Sequence, residues 1–295
     1  MGAAKSSVRD TARSPVNPIW LVLIGILSVQ FGAGIAKTLF DEADPTTIVW
    51  LRLATSAVIL ALVARPVVRG RSREDWLIVL AFGASLGLMN WAIYQSFQRI
   101  PIGLAVTLEF VGPLTLAVLG SRRARDLIWV GLAAVGVSLL GLRPGDLSWA
   151  GVGFALLAGA AWAAYILLSA QTGRRWAGFD GLTLASVAAT LFLAPLALGG
   201  HADQLGDSRI LLLGALVGLL SSVIPYSCEL VALRSIRPAV FGILMSLEPA
   251  AAALAGLLVV GEVLSPVQLL AMAFVVAASV GATRSGGTLS DPVPD

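Results

Sequence analysis

The sequence predicts an all-α integral membrane protein of ten transmembrane helices, arranged as two inverted five-helix repeats. Three observations carry that expectation. Apolar residues make up 57% of the 295 residues and charged residues 13%, against roughly 25% charged in a soluble domain, and mean hydropathy is +0.88. Ten apolar stretches of helix length follow one another with short loops between them, and about 20 such residues cross a bilayer core. Lys and Arg gather in alternate loops, which is the charge signature of one membrane face.

The spans of the first half run at about Ile19–Ala36, Ile48–Ala64, Trp76–Phe97, Pro101–Leu119 and Leu127–Leu142. Those of the second half run at about Trp149–Ser169, Leu182–Leu198, Ile210–Val231, Ala239–Val260 and Leu264–Ala282. None alternates with the period of two that a membrane barrel needs. The third and fourth nearly touch, and Pro101 separates them, because proline suits a first helical turn and breaks an interior. The division is therefore a tail over 1–17, a first repeat over 18–142, a second over 149–283 and a tail over 284–295. The first run is too long for a signal-peptide core, contains Gln30 and precedes nine more spans, so it reads as a helix that stays.

Orientation follows from the basic residues. Lys5, Arg9 and Arg13 in the N-terminal tail fall on one side, with Arg65, Arg69, Arg71 and Arg73, with Arg122, Arg123 and Arg125, and with Arg174, Arg175, Arg234, Arg237 and Arg284. The other side holds Lys37, Arg99, Arg143 and Arg209. The rule that positive loops stay inside places both termini in the cytoplasm. Six tryptophans (Trp20, Trp50, Trp76, Trp129, Trp149 and Trp176) lie near span ends, where an interfacial belt accounts for them. Trp91 and Trp162 lie deeper.

Composition also excludes several classes. One cysteine, Cys228, leaves no disulfide scaffold. The pI near 9.5 comes with a net charge of only +3, spread over short clusters, so no basic face for nucleic acid is expected. There is no phosphate-binding P-loop, no cofactor motif, and no His or Cys cluster at metal-ligand spacing, so neither cofactor nor metal is expected.

An odd number of helices per half turns the second half upside down in the membrane. A faint sequence echo accompanies this. Gly103 precedes Glu109 by six residues in the fourth span, as Gly242 precedes Glu248 in the ninth, with a hydroxyl (Thr107, Ser246) two residues before each Glu. Pro113 and Pro249 follow at different offsets. Inverted repeats are the architecture of many secondary transporters, with the substrate site at midplane between the halves.

Several motifs add a family resemblance: Ala36-Lys37-Thr38-Leu39-Phe40, Met89-Asn90-Trp91, Leu108-Glu109-Phe110-Val111-Gly112-Pro113-Leu114, Pro225-Tyr226-Ser227, Met245-Ser246-Leu247-Glu248-Pro249, Gly261-Glu262 and Ser265-Pro266-Val267-Gln268. Together they resemble the EamA branch of the drug/metabolite transporter superfamily over nearly the whole chain, tails excepted. Within that branch they are most similar to bacterial exporters of threonine and homoserine. The resemblance implies a multi-pass protein of the bacterial inner membrane that exports small amino acids.

Ionisable groups at midplane cost a few kcal/mol and mark a pathway or a structural pair. Arg52 and Glu109 lie at similar depth, roughly 10–12 Å from the outer surface at 1.5 Å per residue, which predicts an ion pair; such a pair could equally staple two helices. Pro113 has no N–H, so the Glu109 carbonyl is left free, for a cation or a hydrated cavity or simply at a proline kink. Glu248 has no basic partner at its depth and is the first candidate for proton coupling, with a helix–helix hydrogen bond as the bland alternative. Gln30, Asn90, Tyr94, Trp162, Tyr165 and Tyr226 form the candidate substrate-binding set, since aromatic walls with amide and hydroxyl groups suit a small zwitterion; each also suits plain helix packing. Asn90 and Tyr94 share a face at four-residue spacing, as do Ser222 and Tyr226. Lys37, Glu229 and Glu262 lie near span ends, where they can snorkel.

These residues, with what the resemblance implies, predict a proton-coupled exporter of small amino acids and no enzyme. Efflux of another small polar metabolite or drug is the alternative on the same fold. An enzyme would need nucleophile, base and orienting groups that the short loops cannot carry, and a non-transporting scaffold would lack a polar cavity between the halves.

Overall fold

A computed structural model describes residues 17–119, 127–140, 148–233 and 238–285, and these are helical almost throughout. Both tails, the loops 120–126 and 234–237 with their arginines, and the segment 141–147 with Arg143 lie outside the described residues.

The first half comprises α1 (Pro18–Thr38), α2 (Pro45–Ala64), α3 (Arg73–Phe97), α4 (Ile102–Leu119) and α5 (Leu127–Leu140). The second comprises α6 (Trp149–Gly173), α7 (Asp180–His201), α8 (Ser208–Glu229, helical on to Leu233), α9 (Val240–Val260) and α10 (Pro266–Ser285). Among the described residues nine of these are long and apolar enough to cross a membrane, and α5 is a shorter apolar helix. Helices begin a few residues earlier than hydropathy suggests because polar caps lie outside the apolar run. Asp44 accepts the Thr46 N–H at 2.7 Å and Asp207 the Arg209 N–H at 2.7 Å, while Ser72 and Asp75 form a reciprocal capping box. These side chains satisfy helix-end N–H groups that a membrane surface leaves orphaned.

Helix contacts pair off when each helix is exchanged for the one five places on. Helix α1 packs on α8 as α6 packs on α3, α1 on α9 as α6 on α4, and α2 on α8 as α7 on α3. The α2–α7, α4–α9 and α5–α10 contacts map onto themselves. This is the pattern of two inverted five-helix repeats. Large apolar residues such as Leu62, Val63, Leu212 and Leu258 point outward; on a soluble protein so much exposed apolar surface would aggregate, and here it is the lipid face.

Three helices are broken, each next to a proline. In α4 the helix is interrupted at Phe110, between Ile102–Glu109 and Val111–Leu119. In α9 a turn at Ser246 and Leu247 separates Pro238–Met245 from Glu248–Ala255, and a π turn follows at Gly256–Val260. Helix α8 carries a π turn at Leu219–Val223. All three face the junction of the halves.

The belt reading of the tryptophans holds for Trp20 and Trp149, which are exposed, and fails for two others. Trp176 is buried, with Trp76 edge-on at 5.7 Å and the Arg71 guanidinium over its ring. The Trp50 indole donates to the Thr190 carbonyl at 3.1 Å, tying α2 to α7.

Candidate functional site

A cavity of about 570 Å³ lies where the halves meet. Gln30 from α1, Arg52 from α2, Asn90 from α3 and Glu109 from α4 line it on one side. Trp162 and Tyr165 from α6, Tyr226 from α8 and Glu248 from α9 line it on the other. Eight of the nine residues singled out in the sequence thus share one cavity. The ninth, Tyr94, is fully buried behind it. Its ring packs on Phe40 and Phe97, and its hydroxyl lies 3.4 Å from the Arg52 guanidinium. The four-residue rule placed Tyr94 with Asn90, but its ring packs between Phe40 and Phe97, away from the cavity.

Arg52 corrects a second expectation. It lines the same cavity as Glu109 without forming an ion pair with it, and three of its five N–H donors are committed elsewhere. Its Nε donates to Ser222 Oγ at 3.2 Å, one terminal nitrogen to Tyr94 and the other to the Ser221 carbonyl at 2.8 Å. The α8 backbone explains this. Pro225 has no N–H for the Ser221 carbonyl, and the π turn sends the Ile224 N–H to Leu219, which frees the Leu220 carbonyl. Arg52 takes the first acceptor and Ser28 Oγ takes the second at 2.6 Å. The extra residue of the π turn also shifts the face, so Ser221 and not Ser222 lines the cavity with Tyr226.

The carbonyl freed by Pro113 is not offered to the cavity either. It abuts α6, where a Cβ on Gly159 would come within 2.5 Å of the Glu109 carbonyl oxygen. Close helix approach through small residues absorbs the proline kink. The echo between the repeats, by contrast, is structural. Thr107 donates to the Gly103 carbonyl at 2.6 Å and Ser246 to the Gly242 carbonyl at 3.0 Å, each one turn back and two residues before its glutamate.

Glu109 and Glu248 are more than nine-tenths buried and make no hydrogen bond or ion pair among the described residues. Glu229, set aside in the sequence as an end-of-span residue, faces the same cavity one turn beyond Tyr226. Pro225 is the sequence signal that could have flagged it, since a proline inside a span marks a helix whose face cannot be read by simple periodicity. Gln30 is buried with its amide unbonded among the described residues, whereas Asn90 spends one donor on the Leu86 carbonyl at 2.8 Å. Trp162 stands edge-on to Phe110 at 4.9 Å, and Trp91, outside the lining, donates to Thr46.

The lining is lopsided along the helices. On α9 it runs from Phe241 to Glu248 and stops, and on α10 it occupies only Ser279 to Thr283. Those stretches lie toward the end of the bundle that carries Arg65–Arg73 and Arg174–Arg175, called here the basic end. On α1 and α3 the lining reaches the other way, as far as Ala33 and Phe97, and ends there. The cavity can therefore hold a small polar molecule against carboxylates, amides and aromatic faces.

A ten-helix bundle of inverted repeats with a polar cavity at its centre is a membrane transporter, and comparison with known proteins gives its family. Residues 149–284 match the EamA-like transporter family. The chain is 39% identical over 273 residues to the threonine/homoserine exporter RhtA of Escherichia coli (strain K12), covering 90% of this chain and 92% of that protein. It is 40% identical over 278 residues to RhtA of Salmonella typhimurium (strain SL1344), covering 93% and 94%. The chain belongs to the EamA-like transporters; it is a multi-pass membrane transporter and not an enzyme. A crystal structure of a protein 18% identical superposes with a TM-score of 0.62 over 90% of this chain and 97% of that one, which shows the fold to be shared.

Proposed function

We propose that this transporter exports small amino acids of the threonine and homoserine type across the bacterial inner membrane in exchange for protons, with both termini in the cytoplasm. The observation that carries the reading is the pair of buried, unpartnered carboxylates on a cavity between the halves. A carboxylate in such surroundings needs a proton or a cation beside it. Protonated, Glu248 is neutral and cheap to bury; ionised, it attracts a substrate ammonium. One group can thus exchange a proton for substrate, which is antiport in its simplest form.

The remaining roles follow from position. Gln30, Asn90, Trp162, Tyr165 and Tyr226 supply the amide, hydroxyl and aromatic surface for the rest of the substrate. Arg52 keeps two N–H groups beyond its three bonds, and these can meet a substrate carboxylate. Tyr94 holds Arg52 in place. Glu109 is the second proton or ammonium site. The relatives named for threonine and homoserine export support the substrate class, and the cavity volume falls within the roughly 300–1,000 Å³ usual for small-molecule sites.

The test is uptake of labelled threonine and homoserine into inverted vesicles under an imposed pH gradient. An acid lumen should drive accumulation, and a protonophore should abolish it. Accumulation indifferent to the gradient would refute proton coupling, and no uptake of either amino acid would refute the substrate class.

A further inference from the structure

The end of the bundle opposite the basic end carries an ion pair that the transport site does not use. Lys37 Nζ, in the last turn of α1, lies 2.6 Å from Glu262 Oε1 and donates to the Ile100 carbonyl at 2.8 Å. Glu262 Oε2 accepts the Ile102 N–H at 2.9 Å, at the start of α4. Both side chains are mostly buried, at 16% and 13% exposure. One pair therefore joins α1, the α3–α4 turn, the first turn of α4 and the turn after α9, drawn from both halves.

The chain is shaped to make this contact. Gly261 takes φ +80°, a left-handed conformation that turns the chain back on α9 and suits glycine. Glu262 then lies over Gly256, where a Cβ would come within 2.5 Å of its Oε2, and its N–H bonds to the Gly256 carbonyl. Two glycines thus bring the carboxylate to Lys37. The cavity ends below the pair: on α1 its lining reaches Ala33, four residues or roughly 6 Å short of Lys37 at 1.5 Å per residue, and on α3 it stops at Phe97, three residues before Ile100. Helices α1, α4 and α9 all contribute to the cavity wall, so a movement that opens this end must separate groups the pair holds together.

We infer that Lys37 and Glu262 form the gate at the far end of the transport pathway, and that their separation opens the cavity there. An ion pair suits the task. While buried, the two charges hold each other; once water enters, both regain hydration, so the net cost of parting is far below that of the bare Coulomb attraction. The inference rests on the transporter reading of the cavity and not on its substrate or coupling ion.

The experiment reads access directly. In a Cys228→Ser background, Ala33→Cys places a thiol on the cavity wall one turn below Lys37. Val68→Cys, in the exposed loop between α2 and α3, marks the basic end in parallel preparations. An impermeant maleimide is applied to each face of oriented vesicles. With the gate intact, the Ala33→Cys thiol should react from the Val68→Cys face and slowly from the other. Lys37→Met, and the double variant Lys37→Met/Glu262→Gln that leaves no lone buried charge, should raise the rate from the far face about tenfold by shifting the population of open forms. An unchanged far-face rate in both variants, with basic-end labelling intact, overturns the gate. Should Val68→Cys label from outside the cell, the proposed orientation fails while the gate is still judged against that marker.

Discussion

The broken helices α4 and α9 occupy equivalent places in the two repeats and differ in what surrounds their carboxylates. Each carries a hydroxyl bonded one turn back and a glutamate two residues on, facing one cavity. In α4 the break follows Glu109, and Arg52 lines the same wall. In α9 the break precedes Glu248, and among the described residues the lining from the second half adds another acid, Glu229, and no cation. The two repeats share the backbone device and differ in charge. An asymmetric charge set is what a carrier needs if one carboxylate is to release its proton while the other, nearer a guanidinium, holds a different state.

That contrast predicts unequal mutants. Glu248→Gln mimics the protonated state, and in vesicle uptake should leave the fold intact while pH-driven transport falls to background. Glu109→Gln should lower transport and keep its pH dependence. If Glu248→Gln still transports with unchanged pH dependence, Glu248 is structural and the coupling site belongs at Glu109.

A smaller effect separates positioning from chemistry. Arg52→Met removes three hydrogen bonds and leaves the Ser221 carbonyl, Ser222 and Tyr94 facing an apolar chain. Thermal unfolding in detergent should show a loss of about 1–3 kcal/mol from the unsatisfied buried groups. Arg52→Lys, which cannot span the three acceptors, should recover only part of it. No loss would mean that the α8 carbonyl finds water instead.

The α4–α6 contact gives a comparable test of packing. Gly159→Val would place side-chain atoms against the Glu109 carbonyl and should cost about 1–3 kcal/mol through overpacking. Gly153→Ala, on the same helix with nothing near its Cβ position, is the control and should be nearly neutral or slightly stabilising.

The smallest expected effect tests the symmetry itself. Thr107→Ala and Ser246→Ala each remove a hydroxyl bonded to its own helix, and each should change stability by less than about 1 kcal/mol. Ser246 also meets Ser279 at 2.9 Å, so its loss should be the larger of the two. Equal effects would mean that the Ser279 contact contributes nothing.

The helix count, the halves and most of the polar groups on the cavity wall were legible in the sequence because lipid imposes a one-dimensional constraint. A span must be apolar along its whole length, so a polar residue within it stands out and is pointed inward. That is why Gln30, Asn90, Trp162 and Glu248 could be named before any coordinates. Which of the inward residues reach the cavity was decided only by tertiary structure. Regular periodicity could not foresee the π turn of α8, which exchanges Ser222 for Ser221 and brings Glu229 to the wall. Nor could equal depth show that the guanidinium of Arg52 would be taken by a carbonyl that Pro225 had released. The pairing of Lys37 with Glu262 is likewise invisible in the chain, where 225 residues separate them. Insertion energy is set residue by residue along the sequence, whereas hydrogen-bond partners depend on where broken helices leave their unpaired backbone, and that is settled only when ten helices pack together.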